Sequence, residues 1–236
     1  MRPMAIVVVV VAFTGWRTPP APSSSGPEAS LSARRASVSG HVVVSASPPL
    51  PPATLSPYAR RRYEPPQRPG VPGGAEDAFV YLEPLDGAPP KGSGASPRIV
   101  QRDRTIIPHV TVTQVGQLVE FPNEDDVFHS LFSLSPGNRF SLGRYGPGVT
   151  ETNRFQTPGV VRLFCDIHSE MAGVILVLDT PHVTRVGADG AYQLTGLPAG
   201  TYRAIAWHPT AGADTVTVTL GATESVVQDF LLRARR

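Results

Sequence analysis

The sequence predicts an all-β protein built of antiparallel sandwiches, and three observations carry that expectation. Its apolar stretches are short, and they either alternate with polar residues or run continuously over a strand's length. Gly and Pro turn signals separate them at close intervals, and no segment sustains a 3.6-residue period bounded by caps. Short strands between tight turns are the pattern of antiparallel sandwiches.

The chain has 236 residues, 41% hydrophobic and 17% charged, the composition of a folded protein rather than of a bundle of membrane helices. A net charge of +2, with arginines scattered apart from Arg60-Arg61-Arg62, gives no footprint for nucleic acid, and no such partner is expected. The single cysteine cannot close an internal disulfide, so stability must come from a buried core and any special role of the thiol must be chemical.

Prolines divide the chain: 18 of the 26 precede residue 99. The first two-fifths must therefore be rich in loop or linker, while the rest is free to form regular structure. Met1-Arg2 followed by an apolar run over 4–13 fits an export signal, being far too short to span a bilayer as a helix. Residues 1–16 are expected to be a signal peptide or N-terminal anchor, with a membrane contact only if the segment is retained. Residues 17–36, rich in Pro and Ser, are expected to be a disordered tether.

From Ser37 the signals are β. Residues 38–44 form an apolar run broken by Gly40, and 78–82 form another, with a proline-rich insertion between them. Residues 110–113 alternate, a turn follows at Gln114-Val115-Gly116-Gln117, and 118–121 make the next strand. Val161, Leu163 and Cys165 share one parity, which aims the Cys165 sulfur into the domain. Residues 174–178 read as a strand buried on both faces, 215–220 alternate, and 225–232 read as a last strand.

Chemistry concentrates in Phe164-Cys165-Asp166-Ile167-His168-Ser169-Glu170-Met171. A thiolate, an imidazole and a thioether at intervals of three are the donors of a blue-copper centre, which needs one more histidine and takes Met as a weak, long axial ligand. His129, at the end of Phe121-Pro122-Asn123-Glu124-Asp125-Asp126-Val127-Phe128-His129, is the candidate for the missing nitrogen. Three other readings compete. The spacing of three also marks one face of a helix, but the flanking segments are strands. A reactive exposed thiol lacks a resolving partner nearby. Zinc usually takes a stronger fourth ligand than methionine.

Residues 99–179 resemble the cupredoxins, the plastocyanin- and amicyanin-like blue copper proteins. The likeness rests on Pro108, on Val115-Gly116-Gln117-Leu118-Val119-Glu120-Phe121-Pro122-Asn123, on His129, on Phe155 and Gly159, and on the short Cys-x-x-His-x-x-Met loop. It implies a Greek-key sandwich, equatorial His129, Cys165 and His168 with Met171 axial, one copper per chain cycling between Cu(I) and Cu(II), and one-electron transfer without enzymatic turnover. Ser130 departs from the pattern, since many members carry Asn there, and the side-chain bonds bracing the two ligand loops are expected to differ.

Val38-Ser39-Gly40-His41-Val42, Ala78-Phe79-Val80-Tyr81-Leu82 and the stretch 186–202, with hairpin turn signals at Asp189-Gly190 and Ala199-Gly200, resemble a second family. This is the transthyretin-like or carboxypeptidase-regulatory-like, that is prealbumin-like, sandwich. It is expected to comprise residues 37–98 plus 180–236, with the cupredoxin segment inserted in it; a tandem arrangement is the competing one. The whole chain is similar to bacterial proteins described as plastocyanin-like or methylamine-utilization proteins.

His41, His109, His182 and His208 have no second ligand type at useful spacing, and no His-x-His pair or nucleophile-base pattern is present. The acidic run Glu124-Asp125-Asp126 reads as a solvated turn. The expectation is an exported, periplasmic or extracellular mononuclear copper protein that passes electrons between redox partner proteins. A copper carrier or store, and a structural or adhesive sandwich with a vestigial site, are the rivals.

Overall fold

The computed structural model describes residues 35–45, 74–87 and 94–233. The expected signal, nearly all of the tether and the proline-rich insertion lie outside them. Two strands come first, β1 (Ala36–Ser45) and β2 (Phe79–Pro84). Then follow β3 (Val100–Arg102), β4 (Thr105–Ile107), β5 (Val110–Gln114), β6 (Leu118–Pro122), β7 (Leu131–Ser133), β8 (Phe140–Ser141), β9 (Thr150–Arg154), β10 (Gly159–Cys165) and β11 (Ala172–Leu178). The last are β12 (Val183–Arg185), β13 (Ala191–Leu197), β14 (Gly200–His208), β15 (Gly212–Leu220), β16 (Ser225–Val227) and β17 (Phe230–Arg233). One 3₁₀ turn, Ala75–Asp77, is the only helical piece among the described residues. The protein is all-β.

The strands form four layers separated by three cores. In the outermost layer β1 pairs with β13 on one side and with β16 and then β17 on the other. The second layer runs β12-β2-β14-β15. Between them lie Val38, Val42, Val80, Leu82, Tyr192 and Phe230 with their neighbours. The third layer is the sheet β5-β11-β10-β7-β8. The fourth joins the β3-β4 and β6-β9 ladders through isolated parallel bridges, Arg98 with Glu120 and Gln101 with Asn123. Phe121, Phe155, Leu163, Cys165, Met171 and Ile175 belong to the core between these two.

The middle core explains the continuous apolar run at 174–178. Val174, Leu176 and Leu178 of β11, with Val110 of β5, pack against Phe79, Ile205 and Trp207 of β2 and β14. The alternate residues Ile175 and Val177 face the other way, into the core that holds Cys165. With a sheet on each side, neither face of β11 meets water, and polar alternation disappears.

Three expectations need correction. First, the sandwiches are not purely antiparallel, because β1 runs parallel to β16 and β17 and β5 runs parallel to β11. These partners are distant in sequence, so no tight turn dictates their direction. Second, residues 225–232 are not one strand. The chain breaks at Gln228-Asp229, where the Gln228 N–H donates to the Ser39 carbonyl (2.8 Å) and the Asp229 carboxylate accepts the His41 N–H (2.8 Å). Third, Asp189-Gly190 and Ala199-Gly200 do not close two-residue hairpins. Strands β12, β13 and β14 lie alternately in the second, first and second layers, so both turns cross between sheets. Gly190 takes φ 84° there, and its carbonyl accepts the Val42 N–H (2.8 Å). The hairpin joins β14 to β15, with His208 opposite Gly212.

These contacts are open to test at two positions. A Cβ on Gly40 would sit 2.1 Å from the Gln228 carbonyl oxygen, a backbone atom that cannot rotate away. Gly40→Ala is expected to cost about 1–3 kcal/mol in urea unfolding, and a change near zero would contradict the close approach. The second position concerns pH. His208 is buried, its Nδ1 accepts the Ala211 N–H (3.1 Å), and its Nε2 donates to the Gly74 carbonyl (3.2 Å). Burial holds its pKa below the ordinary histidine value, as it does for His109 and His182. The unfolded chain then binds protons more readily, so this contribution is complete above the unfolded pKa of about 6.5 and fades as pH falls below it. Burial raises the Asp77 carboxyl, an effect of opposite sign as pH falls. Thermal midpoints of the metal-free protein should fall from pH 7 to pH 5, and less steeply in His208→Gln.

Candidate metal centre

The site is built at one end of the core between the third and fourth layers. Strand β6 ends at Pro122, and the loop that follows is organised by Asn123, whose side chain is buried. Its Oδ1 accepts the Asp125 N–H (3.0 Å), and its Nδ2 donates to the Val127 carbonyl (2.8 Å). The Asx turn so formed delivers the chain to His129. There an isolated bridge to Tyr145 fixes the backbone, with N–H···O distances of 3.0 and 2.9 Å. The His129 ring is fully buried.

Cys165 ends β10, opposite Leu131 of β7. Val161, Leu163 and Cys165 are buried while Val160, Arg162 and Phe164 are exposed, so strand parity turns the sulfur inward. The loop after it closes on itself. The Met171 N–H donates to the His168 carbonyl (3.1 Å), and the Cys165 N–H donates to the Met171 carbonyl (3.2 Å). A further bond, from the Asp166 N–H to the Ser130 carbonyl (2.9 Å), ties this loop to the His129 loop. The brace is main chain to main chain and does not involve the Ser130 side chain.

Three donor atoms converge. Cys165 Sγ lies 3.9 Å from His129 Nδ1 and 3.9 Å from His168 Nδ1, and the two nitrogens are 3.2 Å apart. Among the described residues this is the one group of three or more His, Cys, Asp or Glu whose ligand atoms all lie within 4.8 Å of one another. Metal bonds of about 2.0 Å to nitrogen and 2.3 Å to sulfur place neighbouring donors roughly 3.3–3.7 Å apart in trigonal or tetrahedral arrangements. The observed triangle brackets that range, so the residues fit a single ion. Met171, 1% exposed, packs in the same core at the base of the loop. His168 is half-buried at the rim, beside exposed Ile167.

The other four histidines stay apart from this group. His208 caps the β14–β15 hairpin, His182 meets Tyr202 edge-on (6.1 Å between ring centroids), His41 lies exposed on β1, and the buried Nε2 of His109 has no partner.

The acidic run departs from its reading as a solvated turn. Glu124, paired with Arg102, and Asp126 are exposed as expected, but the Asp125 side chain between them is only 9% exposed. The Asp125 carboxylate accepts the N–H groups of Asp103 (2.5 Å) and Arg104 (3.0 Å) and faces His129 Nε2 at 2.7 Å. Burial alone would raise its pKa. The His129 bond and the two backbone donors outweigh that and hold it below the usual carboxylate value. Tyr145 and Gln101, also missed, form a buried pair in which the tyrosine hydroxyl donates to Gln101 Oε1. Desolvation beside Cys165 pushes the Tyr145 phenol up. The one signal for Asp125 in the sequence is its four-residue spacing from His129; nothing there marks Gln101 or Tyr145.

No family model and no curated protein matches this chain. Solved structures with some likeness include a novel purple cupredoxin from Nitrosopumilus maritimus, at 20% identity over 35% of this chain and 100% of that one, with a TM-score of 0.33. A copper-containing nitrite reductase from Thermus scotoductus SA-01 aligns at 23% identity over 41% of this chain and 25% of its own, with a TM-score of 0.35. A mutant of amicyanin in its Cu(I) form aligns at 12% identity over 42% of this chain and 99% of that one, with a TM-score of 0.33. At these scores the likeness carries no weight for the site, which stands on its own donor geometry.

Asn123→Ala removes a buried group that satisfies both a donor and an acceptor of the His129 loop. The variant is expected to lose about 1–3 kcal/mol in urea unfolding of the metal-free protein, and an unchanged midpoint would contradict its organising role.

Proposed function

We propose that the protein is an exported mononuclear copper protein that carries single electrons between redox partner proteins. The observation that carries this reading is the convergence of one sulfur and two imidazole nitrogens inside a β-sandwich core, with the thioether residue Met171 buried beside them. Among the described residues no fourth His, Cys, Asp or Glu joins that group, whereas structural zinc takes four strong ligands. A soft sulfur with two imidazoles and a thioether suits a metal that alternates between Cu(I) and Cu(II).

Bound copper supplies a one-electron couple, and the chain's residues set its terms. Cys165 presents its sulfur from a strand end. His129 holds its ring in a fully buried position, and Met171 excludes water from the base of the loop. His168, at the rim, is the group through which a docked partner would exchange the electron. In this reading the protein acts as a carrier and not as an enzyme.

In the domain arrangement we favour, residues 99–179 are the copper-binding domain, nested in a transthyretin-like sandwich of 37–98 plus 180–236. What supports it is that β1 and β2 find their ladder partners among strands after residue 182. Export follows from reading residues 1–16 as a signal or anchor.

Loading the purified protein with Cu(II) tests the reading. An intense visible thiolate-to-copper band is expected, lost in Cys165→Ser and bleached and restored through cycles of mild reductant and oxidant. A colourless complex, or release of the metal on reduction, would overturn electron transfer.

A further inference from the structure

The β3–β4 hairpin supplies no candidate ligand, yet it grips the His129 loop at every step. The Gln101 carbonyl accepts the Glu124 N–H (2.9 Å), Arg102 pairs with Glu124, and the N–H groups of Asp103 and Arg104 both point at the Asp125 carboxylate. The Gln101 side chain takes the Tyr145 hydroxyl, and the Tyr145 backbone is bridged to His129.

The tip of this hairpin is strained. Asp103 and Arg104 each have φ 52°, a left-handed conformation that residues with a Cβ adopt at a cost. Such backbone persists where surrounding contacts over-determine it, commonly beside functional groups. Two successive residues of this kind turn their N–H groups to the same side, and the group they meet is Asp125. One oxygen of that carboxylate takes the Asp103 N–H. The other takes the Arg104 N–H and meets His129 Nε2 at 2.7 Å.

For His129 the consequence is a fixed tautomer. An imidazole nitrogen 2.7 Å from a carboxylate carries the proton, which leaves the Nδ1 lone pair aimed at Cys165 Sγ and His168 Nδ1. Glu124 and Asp126, on either side in sequence, do not make this contact.

We infer that Asp125, clamped by the Asp103-Arg104 turn, is a positioning residue that holds His129 in its Nε2–H form with Nδ1 facing the metal position. The inference rests on the copper reading for its consequence, though not for the tautomer itself. A hydrogen-bonded carboxylate behind a histidine ligand orients the ring and raises its basicity, and losing such a partner typically costs 10–100-fold in metal affinity. Its negative charge also favours the more highly charged ion, so its removal should raise the reduction potential.

The test has two arms on the full chain. In the metal-free protein, ¹⁵N NMR of the His129 ring should show a single Nε2–H form with a slowly exchanging proton. In Asp125→Asn and Asp125→Ala that proton should exchange at least tenfold faster, and the Nδ1–H form should appear. In the second arm the variants should bind Cu(II) about 10–100-fold more weakly and have a higher reduction potential, while retaining the thiolate band. Asp103→Asn with Arg104→Gly keeps both N–H donors in residues suited to left-handed backbone and should match the wild type in both arms, as should Asp126→Ala. Should Asp125→Ala fail to fold, the near-isosteric Asp125→Asn decides. A folded Asp125→Asn with wild-type tautomer and copper affinity within twofold would overturn the inference. If the wild type bound no copper, the proposed function would fall, and the tautomer arm would still decide the role of Asp125.

Discussion

The register of β10 against β7 is the constraint on which the site depends. Cys165 sits opposite Leu131, two residues beyond His129, so one ladder brings the sulfur beside a residue 36 positions away in the chain. Side chains alternate along a strand, and a slip of one residue would turn Cys165 to solvent and bring exposed Phe164 into the core. The register is held by what lies on each face. Val161 and Leu163 fill the core on the sulfur's side, and the Asp166–Ser130 main-chain bond continues the pairing past the strand's end.

The same logic of faces holds the larger assembly. Strand β11 pairs with β10 over six residues and with β5 over five, and it is covered on both sides. Its alternate side chains belong to two different cores, one lined by the candidate ligands and the other by Phe79, Ile205 and Trp207 of the second layer. A sheet of which both faces are packed has little room to adjust. In the proposed electron carrier that rigidity would be useful, because donor atoms that cannot relax keep the cost of changing oxidation state low.

Much of this was legible in the sequence, for identifiable reasons. The inward parity of Cys165 follows from two neighbouring apolar residues at spacing two, and the Cys-x-x-His-x-x-Met spacing singled out a loop that does close on itself. The run at 174–178 announced burial on both faces, though not what covers them. Other features leave little trace in composition. Asp103-Arg104 lacks the glycine that normally marks left-handed backbone, so the hairpin that clamps Asp125 is invisible in a scan for turns. An acidic triplet reads as solvated until a hairpin some twenty residues earlier in the chain supplies two N–H groups to its middle member. The parallel ladders of β1 and β5 depend on partners more than 60 residues away, and no local pattern records direction over such a separation.

We propose that one preorganised donor set serves both oxidation states of a single copper ion. X-ray absorption spectroscopy of the copper-loaded protein, recorded on one sample oxidised and then reduced, tests it most directly. One short sulfur contact and two nitrogen contacts should be present in both spectra, with closely similar distances. Loss of a nitrogen or of the sulfur on reduction, or a shell made only of nitrogen and oxygen, would contradict the account.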